Sequence, residues 1–200
     1  KQAGKALFCC ASPLSDLVIE CHEISATKDI EIKTLPCRVH KLELVAPDVM
    51  VISLKLPTNQ RLQFLAGQYI DILLKDGKRR SFSLANAPHD DEYLELHARN
   101  YPGGVFTEHV FTNMKVKDML RFTGPLGSFF LRDTPEECSI IFLASGTGFA
   151  PIKSILEHVF HQEGGRHRKR NMTLYWGART KSDLYLADLA DKWQQQHDNF

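Results

Sequence analysis

Four consecutive residues, Arg80-Ser81-Phe82-Ser83, set a cation, an aromatic ring and a hydroxyl side by side. They sit in the run Lys78-Arg79-Arg80-Ser81-Phe82-Ser83-Leu84-Ala85, which reads as a strand. Alternate side chains of a strand leave by opposite faces, so Arg80 and Phe82 share one. Such a strand can hold a planar ligand that carries a phosphate, with the guanidinium on the phosphate and the backbone near Ser83 against the ring. By itself the stretch reads equally well as an edge strand with two solvated arginines.

Three glycine-bearing stretches add to it. Pro102-Gly103-Gly104-Val105-Phe106-Thr107 opens a helix. A helix start exposes backbone N–H groups and the positive end of the dipole, so an anion can sit there; a plain glycine turn is the other reading. Ala144-Ser145-Gly146-Thr147-Gly148-Phe149-Ala150-Pro151 joins an apolar strand to the next helix, the mechanical context a pyrophosphate needs. It departs from G-x-G-x-x-G, with Pro151 at the third position, which argues against an ordinary Rossmann dehydrogenase. Tyr175-Trp176-Gly177-Ala178-Arg179 ends the following strand and would turn Arg179 toward the same crevice. Gly124-Pro125-Leu126-Gly127 is a turn, or a ledge under a ring.

The elements that must carry these residues fall into two grammars. Alternating apolar and polar residues over Cys37–Leu44, Val49–Leu56, Gly67–Leu74, the Arg80 run, Tyr93–Arg99 and Met119–Phe122 predict short antiparallel strands, closing into a barrel or sandwich. A helix from about Val105 to Asn113 interrupts them. After Asp133-Thr134-Pro135 the pattern changes. Ser139-Ile140-Ile141-Phe142-Leu143-Ala144 is continuously apolar, as in a parallel strand covered on both faces. Ile152, Ile155, Leu156, Val159 and Phe160 mark a helix, Met172–Gly177 a second strand, and Leu186, Leu189, Ala190 and Trp193 another helix, which together predict a parallel α/β layer. The expected domains are thus 34–133 and 134–200, preceded by residues 1–33, where only Leu17–Cys21 reads as a strand.

Bulk properties exclude little. The chain has 200 residues and a formal charge of +1, which favours neither nucleic acid nor a membrane surface. No apolar run reaches the roughly 18 residues of a membrane span. The five cysteines contain no C-x-x-C pair and are odd in number, which points to a reducing cytoplasm rather than a disulfide framework. His158, His161 and His167 lack a carboxylate or cysteine to complete a metal set. Arg166-His167-Arg168-Lys169-Arg170 lacks interleaved aromatics and reads as a solvated loop, or as a surface for an acidic electron-transfer partner. Beginning at Lys1 and stopping just after a helical pattern, the sequence reads as a piece of something longer.

In order and spacing, these stretches resemble the ferredoxin–NADP reductase superfamily over about residues 36–200. The resemblance implies a six-stranded flavin-binding β-barrel followed by a nicotinamide-nucleotide domain, incomplete at its C-terminus. It assigns Arg80 to a flavin phosphate, Phe82 to the ring where tyrosine is commoner, and Ser83 to the hydrogen bond on flavin N5. Gly103, Gly104 and Thr107 become a second phosphate clamp, with Val105 and His97 among the flavin contacts; that clamp favours FAD over FMN. Gly146, Thr147, Gly148 and Pro151 become the pyrophosphate loop for NADH or NADPH, with Gly177 and Arg179 beside it. Ala6–Asp16 resembles the end of a plant-type ferredoxin domain, which would make Cys9 the fourth ligand of a [2Fe–2S] cluster whose other ligands precede Lys1. Within the superfamily the arrangement is similar to ferredoxin/FAD/NAD-type reductases, including the CDP-6-deoxy-Δ3,4-glucoseen reductases and the reductase components of bacterial oxygenases. The implied activity is hydride transfer from NAD(P)H to FAD and passage of single electrons through the cluster to a partner such as an oxygenase or dehydratase component. A reductase that releases free reduced flavin, and a flavin-binding fragment without turnover, are the competing expectations.

Overall fold

A computed structural model describes residues 12–18, 25–132, 134–162 and 164–200, with the side chain of Arg166 left out. Cys9 and Asp133 lie outside the described residues. So does most of the strand expected over Leu17–Cys21, whose described part, Leu17 and Val18, is exposed and in no strand.

Six antiparallel strands form the first sheet: β1 (Lys33–Ala46), β2 (Val49–Lys55), β3 (Tyr69–Leu73), β4 (Arg79–Ser83), β5 (Leu94–Arg99) and β6 (Met119–Leu126). They are ordered β4-β3-β6-β1-β2-β5. The alternation seen in the sequence places Cys37, Val39, Ile52, Leu54, Ile70, Ile72, Leu94, Leu96 and Phe122 on the inner face, each at most 1% exposed. Burying one such side chain stabilises by about 1.5–3 kcal/mol. Helix α1 (Val105–Thr112) closes one side with Phe106 and Val110.

Two strand ends differ from expectation. β1 runs straight through Pro36, because there it pairs only with β6, opposite Arg121, and its pairing with β2 starts at Arg38. A proline is tolerated where its missing N–H faces no ladder. β6 continues through Gly124-Pro125, so the stretch expected as a turn is strand. The sheet's edges, β4 and β5, meet through one bridge, Leu84↔Leu96, and the bond from Ala85 N–H to the Glu95 carbonyl (2.8 Å), without a continuous ladder. Leu84 and Ala85 stay bonded to the sheet, and at Asn86 the chain meets the second layer, where its carbonyl accepts from Ser154.

That layer pairs β7 (Ile140–Ser145) with β8 (Met172–Gly177) in parallel, with α2 (Phe149–His161) and α3 (Ala187–Gln196) packed against them. Its core joins Ile140, Phe142, Phe149, Ile152, Leu156 and Trp193 to Ala46, Val49 and Ala66 of the first layer. The continuous apolar run is covered on one face only; Ile141, Leu143 and Tyr175 are 65%, 75% and 60% exposed on the other. Among the described residues no helix is long and apolar enough to cross a membrane.

Candidate functional site

β4 pairs with β3 so that Arg80 lies opposite Ile72, Phe82 opposite Ile70 and Ser83 opposite Tyr69. Arg80 and Phe82 therefore share a face, and the Phe82 ring tilts against Phe106 at 5.3 Å. This contact brings the start of α1 next to β4. Gly103 holds a φ of +76°, which other residues rarely adopt, and turns the chain into Gly104, the N-cap. No side chain caps this helix start, and the amides of Val105, Phe106 and Thr107 have no intrahelical partner. Thr107 is partly engaged: its Oγ1 donates to the Gly104 carbonyl (3.1 Å) and accepts from Tyr101 N–H (3.4 Å). Arg80, whose Nη1 donates to the Arg79 carbonyl (2.8 Å), and the uncapped amides at the start of α1 offer donors suited to a phosphate, and the half-buried Phe82 ring, which touches Phe106, offers a flat apolar surface.

On the opposite face Ser83 neighbours Tyr69, whose ring lies against Gly127; a Cβ there would come within 2.7 Å of it. Sequence reading missed Tyr69, since only the β3–β4 register shows it beside Ser83.

The second cluster surrounds the loop after β7. Gly146–Gly148 forms a single 3₁₀ turn leading into α2, with Pro151 in the first turn of the helix. Trp176 Nε1 donates to the Gly146 carbonyl (2.9 Å), and its ring stacks on Phe149 at 3.9 Å. Gly146 takes a φ of +51°, and a Cβ added there would stand 3.5 Å from Cζ of Arg99, at the end of β5. Arg99 pairs with Asp48 at 3.5 Å, yet its Nε and Nη2 are buried with no hydrogen-bond partner, as is Oδ1 of Asp48. Arg179 is 81% exposed and reaches the same Asp48 at 3.8 Å and Asp183 at 3.9 Å. Gly146 and Arg179 thus flank an arginine and an aspartate that the sequence did not flag, and Gly177 pairs with Ser145 beside the loop. Arg99 could have been noticed as a cation ending one strand just before a glycine stretch; nothing local marks Asp48.

His97 lies in β5. Its side chain is fully buried, with Nε2 at 2.9 Å from Glu95 Oε1 and Nδ1 at 2.8 Å from the Tyr185 hydroxyl. Burial holds the imidazole below its ordinary pKa, against the pull of Glu95, so it is neutral, donating from Nε2 to the carboxylate and accepting the Tyr185 proton at Nδ1. Burial raises the Glu95 carboxyl, but the His97 hydrogen bond and Lys153 outweigh it and hold the group at about 2. Lys153 is likewise disfavoured by burial and held charged by Glu95 (3.2 Å) and Glu157 (3.0 Å). Tyr185, raised by burial, stays protonated.

The remaining candidates are absorbed by packing. Arg168 Nη1 donates to the Phe160 carbonyl and the buried Arg170 to that of Cys138, so the basic run is less solvated than its composition suggests. His161 stacks on His89 at 3.7 Å, and among the described residues no cluster suits a metal ion.

The oxidoreductase FAD-binding domain family matches residues 36–131, and the oxidoreductase NAD-binding domain family matches residues 142–200. The two matches together span most of the chain, so it pairs an oxidoreductase FAD-binding domain with an oxidoreductase NAD-binding domain, and its fold is that of the ferredoxin–NADP+ reductase of Plasmodium falciparum, which superposes with a TM-score of 0.69 at 21% identity over 83% of this chain. It is 38% identical over 196 residues to the CDP-6-deoxy-L-threo-D-glycero-4-hexulose-3-dehydrase reductase of Yersinia pseudotuberculosis, covering 98% of this chain and 57% of the relative. It is 38% identical to the terephthalate 1,2-dioxygenase reductase component 1 of Comamonas, covering 98% and 56%. The crystal structure of the cytochrome P450 reductase GcoB from Amycolatopsis superposes with a TM-score of 0.77 at 32% identity, over 86% of this chain and 51% of that one. The chain therefore spans a little over half the length of the relatives it matches.

Proposed function

We propose that residues 34–133 bind FAD, that residues 134–200 bind NADH or NADPH, and that the pair works as the reductase module of an electron-transfer system. The observation that carries this reading is Arg99. A guanidinium with two buried, partnerless nitrogens lies beside a glycine loop at a helix start, which is a built site for a nucleotide phosphate. It ends β5, a strand of the sheet that presents Arg80 and Ser83, so the two cofactor positions meet at the domain contact.

FAD bound there would supply the redox chemistry, taking a hydride from the nicotinamide and releasing electrons singly. The chain supplies orientation. Arg80 and the α1 amides hold phosphate, Tyr69 and Phe82 bound the ring on either side of β4, and the Ser83 hydroxyl fixes the reacting edge. Gly146, Thr147, Gly148 and Arg99 seat the pyrophosphate of the second nucleotide, with Arg179 at its rim. In a longer protein Cys9 would complete a [2Fe–2S] cluster that passes the electrons on. The names of the relatives support a dehydrase or oxygenase component as the acceptor, and the odd number of cysteines, with no C-x-x-C pair, supports a reducing cytoplasm.

The decisive experiment is an anaerobic absorption spectrum of the purified protein, before and after NADH and then NADPH. A flavin spectrum that bleaches with one nucleotide supports the cofactor, the hydride step and the coenzyme together. Flavin lost on purification but reduced when added back would favour the free-flavin reductase. A colourless protein that takes up no FAD would overturn the reading. Ser83→Ala should slow bleaching by about tenfold or more while flavin affinity changes less than about twofold; equal loss of both would remove Ser83 from its role.

A further inference from the structure

Helix α2 begins at the glycine loop and, one turn later, is bonded to the backbone that continues from Ser83. Ser154 Oγ donates to the Asn86 carbonyl at 2.7 Å, and Lys153 Nζ to the Ala85 carbonyl at 3.3 Å. We propose that Lys153 and Ser154 are positioning residues that register the Gly146–Gly148 loop against Ser83 and thereby set the distance over which hydride passes from nicotinamide to flavin. This rests on the function proposed above.

The path between the sites is continuous and stiff. On the flavin side, Leu84 N–H donates to the Gln68 carbonyl, Leu84 bridges to Leu96, and Ala85 N–H donates to the Glu95 carbonyl. The Asn86 side chain accepts from Glu95 N–H at 2.9 Å and donates to the Asp90 carbonyl at 2.8 Å. The segment after Ser83 is thus clamped on the sheet, with the carbonyls of Ala85 and Asn86 left for α2. On the nucleotide side, Phe149 is fully buried and stacked on Trp176, which holds the Gly146 carbonyl. Ser154 stands five helical steps beyond Phe149, about 7.5 Å of rigid rise.

The chemistry of the anchor points the same way. Ser154 is 0% exposed and Lys153 only 9%, in a helix whose neighbouring positions are filled by Ile152, Ile155 and Leu156. Packing alone would be served by apolar groups, because buried ion pairs add little net stability over them. Directional bonds instead fix one relative placement of the two layers. Neither side chain takes part in the transfer, in which two electrons and a proton leave nicotinamide C4 together and arrive at flavin N5.

The test compares the unaltered chain with Ser154→Ala, Lys153→Met and Lys153→Arg. Without cofactors, hydrogen–deuterium exchange should quicken in Ser154→Ala both at residues 84–87 and at residues 146–150. With FAD bound, anaerobic stopped-flow reduction by NAD(P)H should slow by about tenfold or more in Ser154→Ala and Lys153→Met, because displacements of about 1 Å can slow such a step by about 100-fold. The dissociation constants of FAD and nucleotide should move by less than about twofold, and Lys153→Arg should recover most of the lost rate. Exchange that quickens only within α2, an unchanged rate beside a lowered melting temperature, or rate and affinities falling together would each overturn the proposal. If neither nucleotide bleaches the unaltered protein, the function proposed above falls, and the exchange data alone decide the coupling.

Discussion

The two sheets are built from residues of the same kind but differ in what covers them. In the first, inward side chains from six strands meet each other and α1, and the two edges touch at Leu84 and Leu96. In the second, α2 covers one face, and Ile141, Leu143 and Tyr175 stand in solvent on the other. The first layer therefore carries its own core, whereas the second draws Ala46, Val49 and Ala66 of its neighbour into its packing. Stability and cofactor binding should divide along that line.

The largest effect expected is Phe122→Ala. Phe122 is 0% exposed within the first core, and emptying such a site costs about 3–5 kcal/mol, read as a lowered denaturation midpoint. Next comes a paired loss of function. Arg80→Ala should strip FAD while leaving nucleotide affinity, and Arg99→Met should weaken nucleotide binding by about 10–100-fold while leaving flavin content, the scale of a lost hydrogen bond to a charged group. Titrating each variant with both cofactors checks this; crossed losses would break the division.

A smaller effect concerns pH at the contact between the layers. Burial keeps His97 below its ordinary 6.5, so the unfolded chain takes up the proton more readily and the folded state loses stability as pH falls below about 6.5. Glu95, held at about 2 against an ordinary 4.5, adds stability above about 4.5 that drains away as pH drops toward 2. Lys153 and Tyr185 face both groups, and Glu157, raised by burial, acts in the opposite sense. Melting temperatures from pH 7 to 3 should fall in two stages, with His97→Gln flattening the upper and Glu95→Gln the lower. The smallest effect expected is Ile141→Ser, which should shift stability by no more than about 0.5 kcal/mol because the side chain is already 65% exposed.

The same contrast explains what could be read in advance. Period-two alternation reports one buried face, and it located the strands of the first sheet and the shared face of Arg80 and Phe82. A continuous apolar run carries no such label; it predicted a strand covered twice, but coverage depends on neighbours that the run does not encode. The glycine loops were legible because their backbone geometry is demanded locally. Arg99, Asp48, Tyr69 and Lys153 were not, because each acquires its meaning from a partner far along the chain: Gly146 for Arg99, Arg179 for Asp48, Ser83 for Tyr69, Ala85 for Lys153. His97, placed by resemblance among the flavin contacts, has both ring nitrogens engaged, by Glu95 and Tyr185, which its own strand does not announce.

Asp48 is shared by two arginines of unequal exposure, with Arg99 side chain 19% and Arg179 81% accessible. Dissolved salt screens the outer cation strongly and the inner one weakly, since counterions reach only what water reaches. Nucleotide capture should therefore have two ionic-strength regimes: an encounter rate that falls as salt rises, set at Arg179, and a residence time that barely changes, set at Arg99.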